Sequence, residues 1–294
     1  MNMDALGYVT HCLLHEYQEK SGQHIGIVKW YKSMYELKER IKEREVKINI
    51  GLPWSWYIHG PVVEYYDMEG KMIQLDEEQV GGEYTQISVL PIGKYNGEGI
   101  NKSDKEIIAA EIESIVSEFY NLPHQKVTEI VYERRAKHPF DLIFRKFVKG
   151  FDKDRLDYSK RDLVAIPQLR EKFPFDEFPR LSVIFSEWLA FVRLVIGAYP
   201  RYLYTTPRVI KDVQKAYGSC MSLKYHENIR DYVLASWKEK NNIMHNELLD
   251  NLRIYKDTFF QLEKIKPKEG DEATRDLVGL FTADFNKLCV KEEE

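Results

Sequence analysis

Trp54-Ser55-Trp56-Tyr57-Ile58-His59-Gly60-Pro61 is the stretch on which the fold turns. Two tryptophans, a tyrosine and a histidine lie within six residues and close on Gly-Pro, which describes a rigid aromatic turn. Just upstream, Val46-Lys47-Ile48-Asn49-Ile50 alternates and Gly51-Leu52-Pro53 breaks it. Before that, Val28, Tyr31, Met34, Tyr35, Leu37 and Ile41 recur mostly at three-to-four spacing, which predicts a helix over 27–42. Its last turn is rich in Lys and Arg, as the helix dipole favours. An earlier helix over 4–19 has Asp4 as cap, Leu6, Val9, Leu13 and Leu14 on one side, and Ser21-Gly22 as stop. Downstream, 71–75 and 84–90 read as short strands around Gly81-Gly82, a β-hairpin or wing.

A Gly/Asn/Pro-rich loop over 91–103 then leads to a helix running to Tyr120, capped by Ser103 or Asp104. Ile107, Ile108, Ile112, Ile115, Val116 and Phe119 form its buried stripe. A short helix over 125–137 follows, His138-Pro139 breaks the chain, and 140–151 adds another turn or two. Residues 152–174, of mixed charge with Pro167 and Pro174, read as a connector. Helices are expected at 180–198, 206–218, 222–263 (with a break near Asn241-Asn242) and 272–290. The expected fold is α+β and mainly α. A winged-helix-like domain with a small β-hairpin occupies 1–150, and an all-helical domain occupies 151–294.

The chain of 294 residues is 44% hydrophobic and 31% charged, enough to build a core. Its 43 Lys and Arg against 47 Asp and Glu leave a net charge of -4, which excludes a protein that coats nucleic acid by bulk positive charge. The three cysteines, Cys12, Cys220 and Cys289, are scattered and form no CxxC pair, so a reducing compartment is expected. Met1-Asn2-Met3-Asp4 does not open a signal peptide. The most apolar stretch, 181–198, carries Glu187 and Arg193, so no membrane span is expected. The expected location is the cytoplasm.

Motifs for chemistry are sparse. His11 and His15 lie four apart beside Glu16, but nothing supplies the further ligands a metal needs, and the expectation is no metal. Cys220 with His226 lacks an orienting third group, and a lone Cys is more often a small core residue. No phosphate-binding loop, dinucleotide turn, serine elbow or zinc-protease pair occurs, so no cofactor is expected. Lys240, five residues before His245 with Asn241 and Asn242 between, loosely resembles the Arg-x(4–6)-His pattern of the HEPN ribonucleases. In such a site His245 would move a proton and Lys240 would hold a phosphate, although Lys lacks the fork of Arg. The second candidate is basic. Arg134, Arg135, Lys137, Arg145, Lys146 and Lys149 face a single acid, Asp141, with Phe140, Phe144 and Phe147 interleaved. This patch suits phosphates or an acidic partner. The helix over 28–47 is milder, with seven cations against four acids, and offers an alternative DNA-reading surface.

Taken in order, the early helices, the Trp56-Tyr57-Ile58-His59-Gly60-Pro61 turn, the hairpin, the long helix ending at Tyr120-Asn121-Leu122, and the short helix leading to Lys137-His138-Pro139-Phe140 resemble the Panacea antitoxin domain, also called SocA-like or phage-associated. His59-Gly60-Pro61 stands where that family has Tyr-Gly-Pro, and His138-Pro139-Phe140 stands at its His and Pro-aromatic pair. The resemblance covers about half of the chain, and the hairpin is longer than the family's. It implies a prokaryotic protein of a toxin–antitoxin or anti-phage (antiviral defence) system that works by binding another protein: a toxin, a nuclease or an ATPase effector. It also implies that Trp54, Trp56 and Tyr57 are structural, packing helices against the hairpin. The expected function is therefore non-enzymatic binding, with nucleic-acid contact through the basic patch. A metal-independent ribonuclease at His245 and a DNA-binding repressor are the alternatives, and the long helix over 222–263 would equally serve self-association.

Overall fold

A computed structural model of the chain describes residues 3–80, 84–151, 160–198 and 206–262. The expected helix over 272–290 and Cys289 lie outside them. The architecture is α+β and mainly helical, and the chain divides into two units. The first comprises residues 1–136 and 218–238, the second residues 137–217 and 239–294. The division therefore falls at 136/137, ahead of the expected 150/151, and a later segment returns to the first unit.

In the first unit, α1 (Met3–Ser21) is followed by β1 (Ile25–Gly26), α2 (Ile27–Glu43), β2 (Trp54–Tyr57) and β3 (Gly60–Val63). A single 3-10 turn, Tyr65–Asp67, precedes the hairpin β4 (Ile73–Val80) and β5 (Tyr84–Pro91), and α3 (Lys102–Phe119) and α4 (His124–Arg135) complete the run. Asn101 caps α3, its side chain accepting from the Asp104 N–H at 2.8 Å, so the helix starts ahead of the expected Ser103 or Asp104. One antiparallel sheet has the order β1-β5-β4 and leaves β4 at its edge. The other has the order β3-β2-β6, where β6 (His226–Glu227) pairs with Ser55 and Trp54.

The core of this unit lies between α1, α2 and α3. Leu6, Val9, Leu13, Trp30, Met34, Tyr35, Leu37, Ile115, Val116 and Phe119 are fully buried there. Each large apolar side chain so placed contributes about 1.5–3 kcal/mol. The aromatic stretch forms the β2–β3 hairpin. Trp54 and Trp56 pack edge-on to Tyr35 of α2, and Trp56 also meets Tyr132 of α4 at 5.6 Å. Tyr57 is only half-buried. Gly60 has φ +84°, and a Cβ there would sit 3.1 Å from the Tyr132 ring, so the position calls for glycine. Lys32, 2% exposed, donates to the His59 and Pro61 carbonyls at 2.7 Å each and ties α2 to this turn. The returning segment closes against the same hairpin. A Cβ on Gly218 would lie 2.3 Å from Ile58 Cγ2, and Ser222 donates to the Trp56 carbonyl at 2.9 Å.

The second unit contains α5 (Pro139–Phe151), α6 (Lys160–Lys172), α7 (Pro179–Ala198) and parts of α8 (Thr206–Lys224) and α9 (Asp231–Leu262). The expected connector over 152–174 contains α6, with Pro167 inside it. The expected break near Asn241-Asn242 does not occur, and the interruption falls before Asp231. Phe140, Phe144 and Phe147, read as interleaving the basic patch, are all buried. Phe140 stacks on Phe144 and meets Phe173, Phe185 and Tyr217 edge-on, while Phe173 and Phe185 stack at 4.0 Å. This aromatic core is why α5 belongs to the second unit. Asp141, 1% exposed, accepts from the Lys137 and His138 N–H groups at 2.9 Å each and from the Tyr217 hydroxyl at 2.5 Å. Burial nevertheless pushes its carboxyl up. No helix among the described residues is long and apolar enough to cross a membrane.

Candidate functional site

The expected basic patch is divided between the two units. Arg134 and Arg135 end α4 in the first unit and turn onto the side chain of Glu36, which has no exposed surface. Arg134 Nη1 donates to Glu36 at 2.7 Å, Arg135 Nε at 3.0 Å and Arg40 Nε at 3.0 Å. Arg134 and Arg40 also reach Glu118 of α3, Arg135 reaches Glu43, and Arg44 donates to Glu111 at 2.8 Å. Burial pushes the Glu36 carboxyl up, but the hydrogen bonds from Arg135, Arg134 and Arg40 outweigh that and bring it down to about 2. Both patch arginines thus clamp α2, α3 and α4 together. The rest of the patch, Lys137, Arg145, Lys146 and Lys149, belongs to the second unit, with Lys146 and Lys149 exposed on α5.

The expected DNA-reading helix is largely enclosed. Trp30, Lys32, Ser33, Met34, Tyr35, Glu36, Leu37 and Ile41 of α2 are buried. Lys29 donates to the Tyr120 carbonyl, Lys38 pairs with Glu39 and Glu227, and Lys32 and Arg40 are engaged as described.

His245 lies on the buried stripe of α9 with Leu248 and Leu252 and is 3% exposed. Lys240 is exposed, about 140° around the helix from His245, so the two do not converge. The cation near His245 is Arg180 of α7, which donates to Asn242 and Asn246 at 2.7 Å each. Sequence spacing had no way to indicate it. Burial, then the charge of Arg180, lowers the His245 imidazole to about 4, so it is neutral near pH 7. A buried neutral histidine must take up a proton on unfolding in acid. Stability is therefore present above pH 6.5 and is lost as pH falls from 6.5 towards 4. We expect urea midpoints at pH 7 and pH 5 to differ by the equivalent of about 2 kcal/mol through this residue, and His245→Leu to remove that part of the difference.

His11 Nε2 donates to the Ile92 carbonyl at 2.8 Å and the Met72 carbonyl at 3.1 Å, while His15 pairs loosely with Glu19. Among the described residues no three His, Cys, Asp or Glu side chains are grouped to hold a metal ion. Cys220 is buried on α8, and His226 lies in β6.

Sequence reading missed a surface on the first unit. Tyr31 stacks on Tyr65 at 6.1 Å and Tyr65 on Tyr66 at 5.2 Å, and Tyr66 is 70% exposed. Partial burial, then the charges of Tyr66, Glu69, Glu64 and Glu77, raise the Tyr65 hydroxyl. Glu77 comes from β4, where Asp76, Glu77 and Glu78 are all exposed and form no ion pair among the described residues. Tyr65-Tyr66-Asp67 and the acid run of a two-faced polar strand were the available signals. Comparison with known protein families, with curated proteins and with solved structures finds no match.

Proposed function

We propose that the protein is a non-enzymatic binding component of a prokaryotic toxin–antitoxin or anti-phage defence system. It acts stoichiometrically by holding another protein, such as a toxin, a nuclease or an ATPase effector. The resemblance of the first half to the Panacea domain supplies the setting. The sheet order β1-β5-β4 behind α1 and α2 is compatible with its winged-helix character.

The observation that carries the reading is the inward commitment of the groups that could react. Glu36, Arg134 and Arg135 close on each other, and His245 is buried and neutral. The first unit also turns outward a tyrosine- and acid-bearing surface suited to protein contact. Reading DNA through α2 would need a free helix face in the major groove, and its enclosed residues favour protein as the partner.

Titrating the purified product of the neighbouring gene, assayed for its own toxic or nuclease activity, tests the mechanism. Expected is a linear loss of activity ending near one equivalent of this protein. Silencing by catalytic amounts overturns the reading.

A further inference from the structure

The hairpin leaves one strand edge open, and the backbone hydrogen bonds show which residues face it. The Met72 carbonyl accepts from the Ile92 N–H, so Met72 points its backbone towards the β5 side. Ile73 points the other way: its N–H donates to the Met68 carbonyl, and its carbonyl accepts from the Gly70 N–H. The register then continues without a bulge from Ile73↔Pro91 to Val80↔Tyr84. Alternation in an antiparallel ladder therefore turns the N–H and C=O groups of Leu75, Glu77 and Gln79 away from β5. Among the described residues none of these groups has a protein partner.

The charge along this edge selects its occupant. Across the ladder, Asp76 faces Ser88, Glu77 faces Ile87 and Glu78 faces Gln86, so none of the acids meets a cation. Beyond the strand the exposed Glu69, which bridges to Ile73, and the exposed Tyr66 continue the same character. Two copies meeting edge to edge would set like charges against each other, which destabilises pairing. A strand bearing Lys or Arg meets the reverse situation, and the tyrosine faces can receive its cations.

Resting on the binding reading above, we propose that the outer edge of β4 accepts an extended Lys/Arg-bearing segment of the partner protein as an added strand. Main-chain bonds to Leu75, Glu77 and Gln79 hold the segment, and Asp76, Glu77 and Glu78 select its charge.

The probe is a fluorescent eight-residue peptide of alternating Lys and Val, titrated onto the full chain at low salt. It is compared with the Glu-for-Lys peptide and with the Lys/Val peptide methylated at every backbone nitrogen. Expected is saturable binding of the first, no binding of the second and at least a tenfold loss for the third. Glu77→Pro removes an outward donor and a charge but no β5 ladder bond, and should weaken binding at least tenfold. Glu77→Gln keeps the backbone donor and should weaken it several-fold. Amide exchange supplies a readout independent of any variant: Leu75, Glu77 and Gln79 should exchange freely in the protein alone and slow at least tenfold with the peptide. No binding, equal binding of the methylated peptide, or unchanged exchange at these three amides overturns the edge assignment. A sharp endpoint in the neighbouring-gene titration would leave the binding reading standing even then.

Discussion

Glu36→Ala should lower the stability of the first unit by about 3–5 kcal/mol, the usual consequence of removing one partner from a buried ion pair. The carboxylate it deletes has no exposed surface and joins Arg134, Arg135 and Arg40. Three guanidinium groups from two helices would then face each other without their shared acceptor, and the docking of α4 on α2 would weaken. Glu36→Gln keeps the shape and loses the charge, so its smaller loss separates packing from electrostatics. The pH dependence gives a second reading of the same residue. The folded carboxyl lies at about 2 against an ordinary 4.5, so its stabilisation is fully present above pH 4.5 and is lost as pH falls from there towards 2. That difference corresponds to about 3 kcal/mol, and urea unfolding of the wild type between pH 5 and pH 3 should show about half of it. In Glu36→Ala the acid dependence over this window should flatten. Equal stability of wild type and Glu36→Ala at pH 7 would remove the clamp as a structural element.

The clamp also marks where sequence reading stops. Periodicity made α1, α2 and α3 legible, because Leu6, Val9 and Leu13, Met34 and Leu37, and Ile108, Ile112 and Ile115 repeat at helical spacing and are buried. The β4–β5 hairpin was legible from two strand-like stretches around Gly81-Gly82, although β4 runs over Ile73–Val80 and not the expected 71–75. Arg134 and Arg135 looked like a docking patch because charge counted along the chain ignores a partner 98 and 99 positions away. Phe140, Phe144 and Phe147 misled for a related reason. Their three-to-four spacing is a core stripe, and the lysines and arginine between them occupy the other side of the same helix. The pairing of β6 with β2 joins two residues of each strand across the length of the chain, and no local signal encodes it. Arg180 came to the neighbourhood of His245 through helix packing alone.

Trp56→Ala should be the second severe substitution, with a loss of about 3–5 kcal/mol. The indole is 1% exposed and lies between the Tyr35 and Tyr132 rings, so it joins α2 and α4 to the hairpin. Its backbone also accepts from Ser222 and donates to the Tyr225 carbonyl at 2.9 Å, so the same residue anchors the returning segment. A cavity here removes the ring contacts to α2 and α4 at once, while the backbone bonds to the returning segment survive the substitution. Trp56→Phe should lose markedly less, since one ring still spans the gap. Phe140→Ala provides the contrast, because its ring belongs to the Phe173, Phe185 and Tyr217 cluster of the other unit. Amide exchange resolved along the chain should therefore show protection lost first in residues 3–136 and 218–238 for Trp56→Ala, and first within the described residues of 137–217 for Phe140→Ala. Identical patterns for the two variants would mean that the chain unfolds as one cooperative body and that the aromatic hairpin is not the local keystone of its unit.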